Sequence, residues 1–214
     1  MGRMKMAKGI PDAEKRRTIL EGSRALFFDR GVSALTMDDI ASLQGISKKT
    51  LYKFFPNKDA LIAAVVEDRI TYIAAEAARI GSDSRRSYLE RLRDILGLVG
   101  MQLSQISETM IKDVWYTRPD LWSRIDKFRR EHVFGIITRM LEEGRKEGFI
   151  RSDIDGRLIP MLFTSAISTV LTPAQMIQLT IPPVKLFDVF VRILFGGILT
   201  DQARRKFFTQ EGKI

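Results

Sequence analysis

Apolar residues recur at three- and four-residue spacing along nearly the whole chain, and no segment alternates with period two between hairpin turns. The predicted fold class is therefore all-α. A first helix is expected from Asp12 to Asp29, with Asp12 as its N-cap, Ile19, Ser23, Leu26 and Phe27 on one face, and Gly31 ending it. A second begins at "TMDDIASLQ": Thr36 caps it, Asp39 completes a capping box, Ile40 and Leu43 face inward, and Ala41 allows a close crossing. "GIS" then makes a turn in which Gly45 supplies the left-handed conformation, Ile46 plugs the core and Ser47 caps the next helix. In that third helix, "KKTLYKFF", Leu51, Phe54 and Phe55 pack inward, so Lys48, Lys49, Tyr52 and Lys53 point outward, with Thr50 in the first turn and Pro56 as the stop.

Beyond Pro56 a fourth helix runs from Asn57 or Lys58 towards Ile80 with no glycine or proline inside it. Residues 81–214 read as about five further helices, broken at "IGSDS", "TRPD", "EGFIRSDIDG", "LTPAQ" and "TIPPV". The apolar runs "IPMLFTSAISTVL" and "FDVFVRILFGGIL" are too short to span a bilayer, and Asp188 and Arg192 interrupt the second, so both are expected to be buried helices.

Charge narrows the picture. Residues 1–58 hold 12 Lys and Arg against 6 Asp and Glu, whereas residues 59–214 hold 23 against 20, so most of the net +9 sits at the amino end. Such an imbalance suits a polyanion, either nucleic acid or an acidic membrane surface, although many basic faces are merely solvated. A membrane-surface module fits poorly, because the lysines lie on a capped, turn-bounded helix backed by phenylalanines. The geometry is that of a recognition helix in a helix-turn-helix, entering the major groove amino end first. There is no cysteine and one histidine, so no thiolate chemistry and no metal cluster are available, and no phosphate-binding loop or nucleophile elbow is visible. With no secretion signal, the expected compartment is the cytoplasm. An all-helical enzyme or lipid-handling protein with a basic surface is the alternative.

The stretches "RTILEGSRALFFDRG" and "LTMDDIASLQGISKKTLYKFFPNKDAL" resemble the amino-terminal domain of the TetR family of bacterial transcriptional regulators. The resemblance implies a helix-turn-helix domain over residues 1–60, with a basic arm over 1–11 that carries Arg3, Lys5 and Lys8, and a helical ligand-binding and dimerisation domain over 61–214. It implies phosphate contacts at Thr36, Tyr52 and Lys58, and groove-facing roles for Lys48, Lys49, Thr50 and Lys53. Thr36 and Ser47 would cap their helices with or without DNA. Two departures stand out: Gly22-Ser23 where the family usually has two alanines, and Lys49 where a glycine is common.

By the same resemblance the partners are double-stranded DNA carrying a palindromic operator, a second copy of the chain and a small hydrophobic or aromatic ligand, with no cofactor and no membrane. The implied function is that of a repressor which a small molecule releases from its operator. Trp115, Tyr116, Trp122, Phe128, Met161 and Phe163 are candidates to line a cavity, or else plain core; Asp113 and Asp120 would suit a cationic ligand or a solvated loop; His132 reads as structural rather than as a ligand contact. The last long helix is apolar almost all round, more than one core absorbs. Leu158, Leu162, Phe190, Leu194 and Ile198 are therefore candidates for a four-helix dimer interface, the other reading being burial within one chain.

Overall fold

The computed structural model describes residues 11–128, 134–170 and 172–209, so residues 1–10 of the basic arm, His132 and the Phe128 side chain lie outside the described residues. Among the described residues the chain forms twelve helices and a single isolated β-bridge. The helices are α1 (Asp12–Arg30), α2 (Met37–Leu43), α3 (Lys48–Phe54), α4 (Lys58–Gly81), α5 (Tyr88–Ser104), α6 (Glu108–Thr117), α7 (Pro119–Phe128), α8 (Phe134–Lys146), α9 (Leu158–Val170), α10 (Pro173–Leu179), α11 (Pro183–Ile198) and α12 (Asp201–Thr209). The carboxyl-terminal part thus has eight helices where the pattern suggests about five. Two of the additional breaks fall at residues 105–107 and 199–200, where no proline or glycine marks them; the division between α7 and α8 lies at residues 129–133, outside the described residues.

The chain divides into two compact units, one taking residues up to Thr71 together with Ser107–Trp122, the other Tyr72–Ile106 and Ser123 onward. The first unit is built on a core of Ile19, Phe27, Ile40, Leu51, Phe55 and Leu61, to which α6 and the start of α7 add Val114 and Leu121. Residues 107–122 therefore belong with the amino-terminal helices, a placement that their periodicity does not reveal.

Capping decides where these helices start. Thr36 Oγ1 accepts from the Asp39 amide at 3.1 Å while the Asp39 carboxylate accepts from the Thr36 amide at 2.9 Å, the capping box the sequence predicts. Ser47 caps α3 through the Thr50 amide at 3.0 Å, and Asn57 caps α4 through the Ala60 amide at 2.8 Å. Gly45 sits at φ 66°, the left-handed conformation the tight turn requires. Two local expectations are corrected. Pro11, not Asp12, is the N-cap of α1, with no side-chain cap bond; Asp12 is the first helical residue. Leu43 is 49% exposed, because the turn after it directs Ile46 into the core instead.

The departure at Gly22-Ser23 has a physical reason. A Cβ on Gly22 would lie 2.6 Å from Gln44 Oε1, and Gln44 Nε2 donates to Ser23 Oγ at 2.8 Å and towards the Ile19 carbonyl at 3.4 Å. The small pair makes room for an amide that crosses between α1 and α2, and Ser23 stays fully buried with its hydroxyl engaged.

In the second unit α5 packs against α8, α11 and α12, and the bridge between Ile150 and Leu199 ties the turn after α8 to the end of α11. Phe163 meets Phe190 edge to face at 5.1 Å, and Phe195 stacks on Phe207 at 6.0 Å. Among the described residues no single helix is long and apolar enough to cross a membrane.

Candidate nucleic-acid interface

The candidate interface is built on α3. Leu51 and Phe55 are buried, at 0% and 2% exposure, and Phe54 is half-buried, so the remaining side of this short helix has to face outward. Lys48, Lys49, Tyr52 and Lys53 are all exposed; Thr50 is half-buried, its hydroxyl 2.8 Å from that of Ser47. Thr36 is exposed at the start of α2, and Lys58 is half-buried at the start of α4. All seven residues singled out for DNA thus lie on α3 or at the amino ends of the helices flanking it, with the apolar side of α3 held in the core.

Their surroundings are not uniformly cationic. Lys48 Nζ pairs with Asp38 Oδ2 at 2.5 Å, and Lys53 Nζ pairs with Asp12 Oδ2 at 2.6 Å while lying 5.3 Å from the Phe54 ring centre. The hydrogen bond and charge of Asp38 hold the Lys48 ammonium above its ordinary range, and the hydrogen bond from Lys53 holds the Asp12 carboxyl below its own. Lys49, between them, has no ion pair among the described residues.

Behind this face α6 is fastened to the same unit at two points. Asp113 Oδ2 accepts from the Ser33 amide at 2.6 Å, and the Ser33 and Thr117 hydroxyls are 3.2 Å apart. Gly31, at φ 80°, brings the backbone so close that a Cβ there would lie 2.9 Å from the Asp113 carboxylate. Partial burial alone would raise the Asp113 carboxyl, but hydrogen bonds from Ser33, Val32 and Thr117 outweigh it and hold the group below its ordinary range. The second point is Arg118, whose guanidinium reaches Asp59 in the first turn of α4 at 2.7 Å and Asp120 at 2.9 Å. Asp113, half-buried, is thus engaged within the protein, whereas Asp120 pairs with Arg118 and stays exposed to solvent. Sequence reasoning misses these contacts because they join residues 59 to 84 positions apart; the "TRPD" break is their only trace.

The candidate ligand residues divide between the two units. Tyr116 is 71% exposed, and Trp115 and Trp122 are half-buried in the first unit; Phe163 is buried against Phe190 and Phe195, whereas Met161 is 57% exposed on α9. Met161 lines an open groove of about 530 Å³ with Leu141, Arg145 and Ile159, and a second groove of about 410 Å³ runs between Tyr72, Glu76, Arg93 and Met101. The dimer candidates also divide. Leu158 and Leu162 are 51% and 62% exposed, Leu194 is half-buried, but Phe190 and Ile198 lie in the chain's own core at 9% and 6%. The exposed apolar positions of α11 are Val189 and Ile193, at 45% and 73%, because the helix turns Phe190 towards Phe163.

Residues 19–65 match the family model of bacterial regulatory proteins, tetR family, a span that contains α2, α3 and the three capped starts. The chain is 26% identical over 186 residues to the uncharacterized HTH-type transcriptional regulator YvaF of Bacillus subtilis, covering 87% of this chain and 96% of that protein. It is 28% identical over 162 residues to the HTH-type transcriptional repressor KstR2 of Mycolicibacterium smegmatis, covering 72% and 77%. Among solved structures the fold is similar to that of SmeT, the repressor of the Stenotrophomonas maltophilia multidrug efflux pump SmeDEF, with a TM-score of 0.63 at 19% identity over 90% of this chain and 95% of that one.

Proposed function

The chain belongs to the TetR family of bacterial transcriptional regulators, which bind DNA and are not enzymes, and from that premise we propose that it is a homodimeric repressor released from a palindromic operator by a small hydrophobic or aromatic ligand. The alternative of a helical enzyme or lipid-handling protein falls with the family. The observation that carries the proposal is the capped α3 with Leu51 and Phe55 sealed into the core and Lys48, Lys49, Tyr52 and Lys53 outside. On this reading residues 1–60 are the DNA-binding part, Thr36, Tyr52 and Lys58 hold phosphates, Lys48, Lys49, Thr50 and Lys53 face the groove, and the protein works in the cytoplasm. KstR2, named a repressor, supports the sign of regulation.

One helix-turn-helix makes too few contacts for tight binding, so two copies are needed. The pairing surface we favour is the exposed apolar face of α9 and α11: Leu158, Met161, Leu162, Val189 and Ile193, with Leu194 beside it. Residues 61–214 would carry this face and the ligand site. After leaving the DNA-binding unit at Thr71 the chain returns to it through Ser107–Trp122, where Asp113 and Arg118 grip the α1–α2 turn and the start of α4. A ligand that shifts α6 would therefore act on the elements that aim α3, and would lower operator affinity by its differential affinity for the two arrangements.

The test is selection of fragments from the sheared host genome, followed by gel shifts of the selected fragment. The proposal expects a palindromic site bound by two copies; binding that is indifferent to sequence would exclude it.

A further inference from the structure

The two lysines at the ends of α3 are each already held by a carboxylate of another helix: Lys48 by Asp38 of α2 at 2.5 Å, and Lys53 by Asp12 of α1 at 2.6 Å. Resting on the assignment of α3 to the DNA groove, we propose that Asp12 and Asp38 are specificity-determining residues: they keep Lys53 and Lys48 from binding phosphate on arbitrary DNA and release them to the base edges of the correct site.

Competition decides which acceptor takes each lysine. A lysine is a compact, flexible point charge that binds any phosphate oxygen it can reach, and phosphate contacts carry no sequence information. An exposed cationic helix with all its lysines unengaged would hold random duplex almost as well as an operator. Each Lys–Asp pair is instead neutral towards the approaching backbone, and its carboxylate repels phosphates. Exposed pairs of this kind are weak, so they withstand a poorly placed phosphate but yield to well-aligned base acceptors. Both carboxylates are more than half exposed and beside the lysines they hold, so neither pair is locked by packing. Lys49 has no such partner among the described residues, and it remains the general attractor on this helix.

The salt dependence of binding separates this from a merely structural role. The probes are the genomic fragment selected by the unmodified protein and a scrambled duplex of equal length, with Asp38→Asn, Asp12→Asn, Asp38→Glu, Lys48→Ala and Lys53→Ala compared by fluorescence anisotropy across salt concentrations. The expected result is that each Asp→Asn change tightens the scrambled duplex by about fivefold and steepens its salt slope by about one per newly engaged lysine. The slope on the selected fragment should stay put, since there the lysine is already engaged, and the discrimination ratio should fall. Asp38→Glu, which keeps the pair, should retain the original ratio. Equal tightening on both duplexes, or no change on the scrambled one while Lys48→Ala or Lys53→Ala weakens the selected fragment, would overturn the role of the carboxylates and leave the DNA assignment standing. If neither lysine variant weakens the selected fragment, the assignment of this face to DNA fails, and the inference fails with it.

Discussion

The amino-terminal unit and the carboxyl-terminal unit are both all-helical, yet they expose their function to inspection very differently. Between residues 36 and 60 three successive helix starts carry a side-chain cap, and the lysines, the tyrosine and the buried phenylalanine all fall within one short helix and its flanks. In the second unit caps such as Ser87 on α5 and Thr172 on α10 are equally regular, but the candidate cavity residues do not share one local stretch: Met161 and Phe163 lie on α9, whereas Trp115, Tyr116 and Trp122 belong to the first unit. A site made by local sequence can be read residue by residue. A site made by helices that meet from distant parts of the chain cannot.

The sharpest way to break this comparison uses one helix, α11. Phe190→Asp buries an unpaired charge in the second unit's core and should cost more than about 4 kcal/mol, giving an unfolded or aggregated chain by circular dichroism. Ile193→Asp, three residues on but 73% exposed, should instead leave a folded, helical chain that sediments as a monomer and binds the operator about a hundredfold or more weakly. A folded Phe190→Asp dimer would refute the placement of that side chain.

The first unit is tested next by Leu51→Ala, which removes a fully buried side chain from the core side of α3 and should cost about 2–5 kcal/mol in chemical denaturation. DNA binding should weaken with it. A variant of normal stability would mean that α3 is not seated as described.

A smaller effect is expected at Asp113, which joins sequence-distant parts of the first unit. Asp113→Ala should cost about 1–2 kcal/mol and speed hydrogen exchange at the Val32 and Ser33 amides. Because its folded-state value is depressed, the stabilisation is complete above the ordinary carboxylate value of about 3.9 and is lost as pH falls below it. Unchanged exchange at those amides between the parent and the variant would remove Asp113 from the clamp.

The smallest effect belongs to Lys58. Lys58→Ala should weaken selected and scrambled duplexes about equally, by about tenfold or less, and lower the salt slope by about one, the share of a single neutralised phosphate. A slope that does not move would take Lys58 out of the interface.

The legibility of the fold follows the same division. Helix starts and the turn at Gly45 are readable because a cap or a left-handed glycine is dictated by neighbours three residues away. Leu43 escapes the pattern because a one-residue change of phase in a seven-residue helix moves a side chain from core to solvent. Phe190 and Ile198 read as a partner surface although both are buried within the chain, Phe190 against Phe163 of α9; the apolar surplus of α11 is legible, but not the direction each side chain faces. The pairs that Asp12 and Asp38 make with Lys53 and Lys48 span 41 and 10 residues, and no local pattern announces them.

If α3 presents its lysines to successive major grooves from a paired protein, hydroxyl-radical footprinting of the selected genomic fragment will show it. The account predicts two protected half-sites centred about one helical turn apart, about 34 Å, or a whole multiple of it. A Lys48→Ala, Lys49→Ala, Lys53→Ala triple variant, still helical by circular dichroism, should protect neither. Protection that persists in the triple variant, or a single unrepeated half-site bound tightly by a dimer, would contradict it.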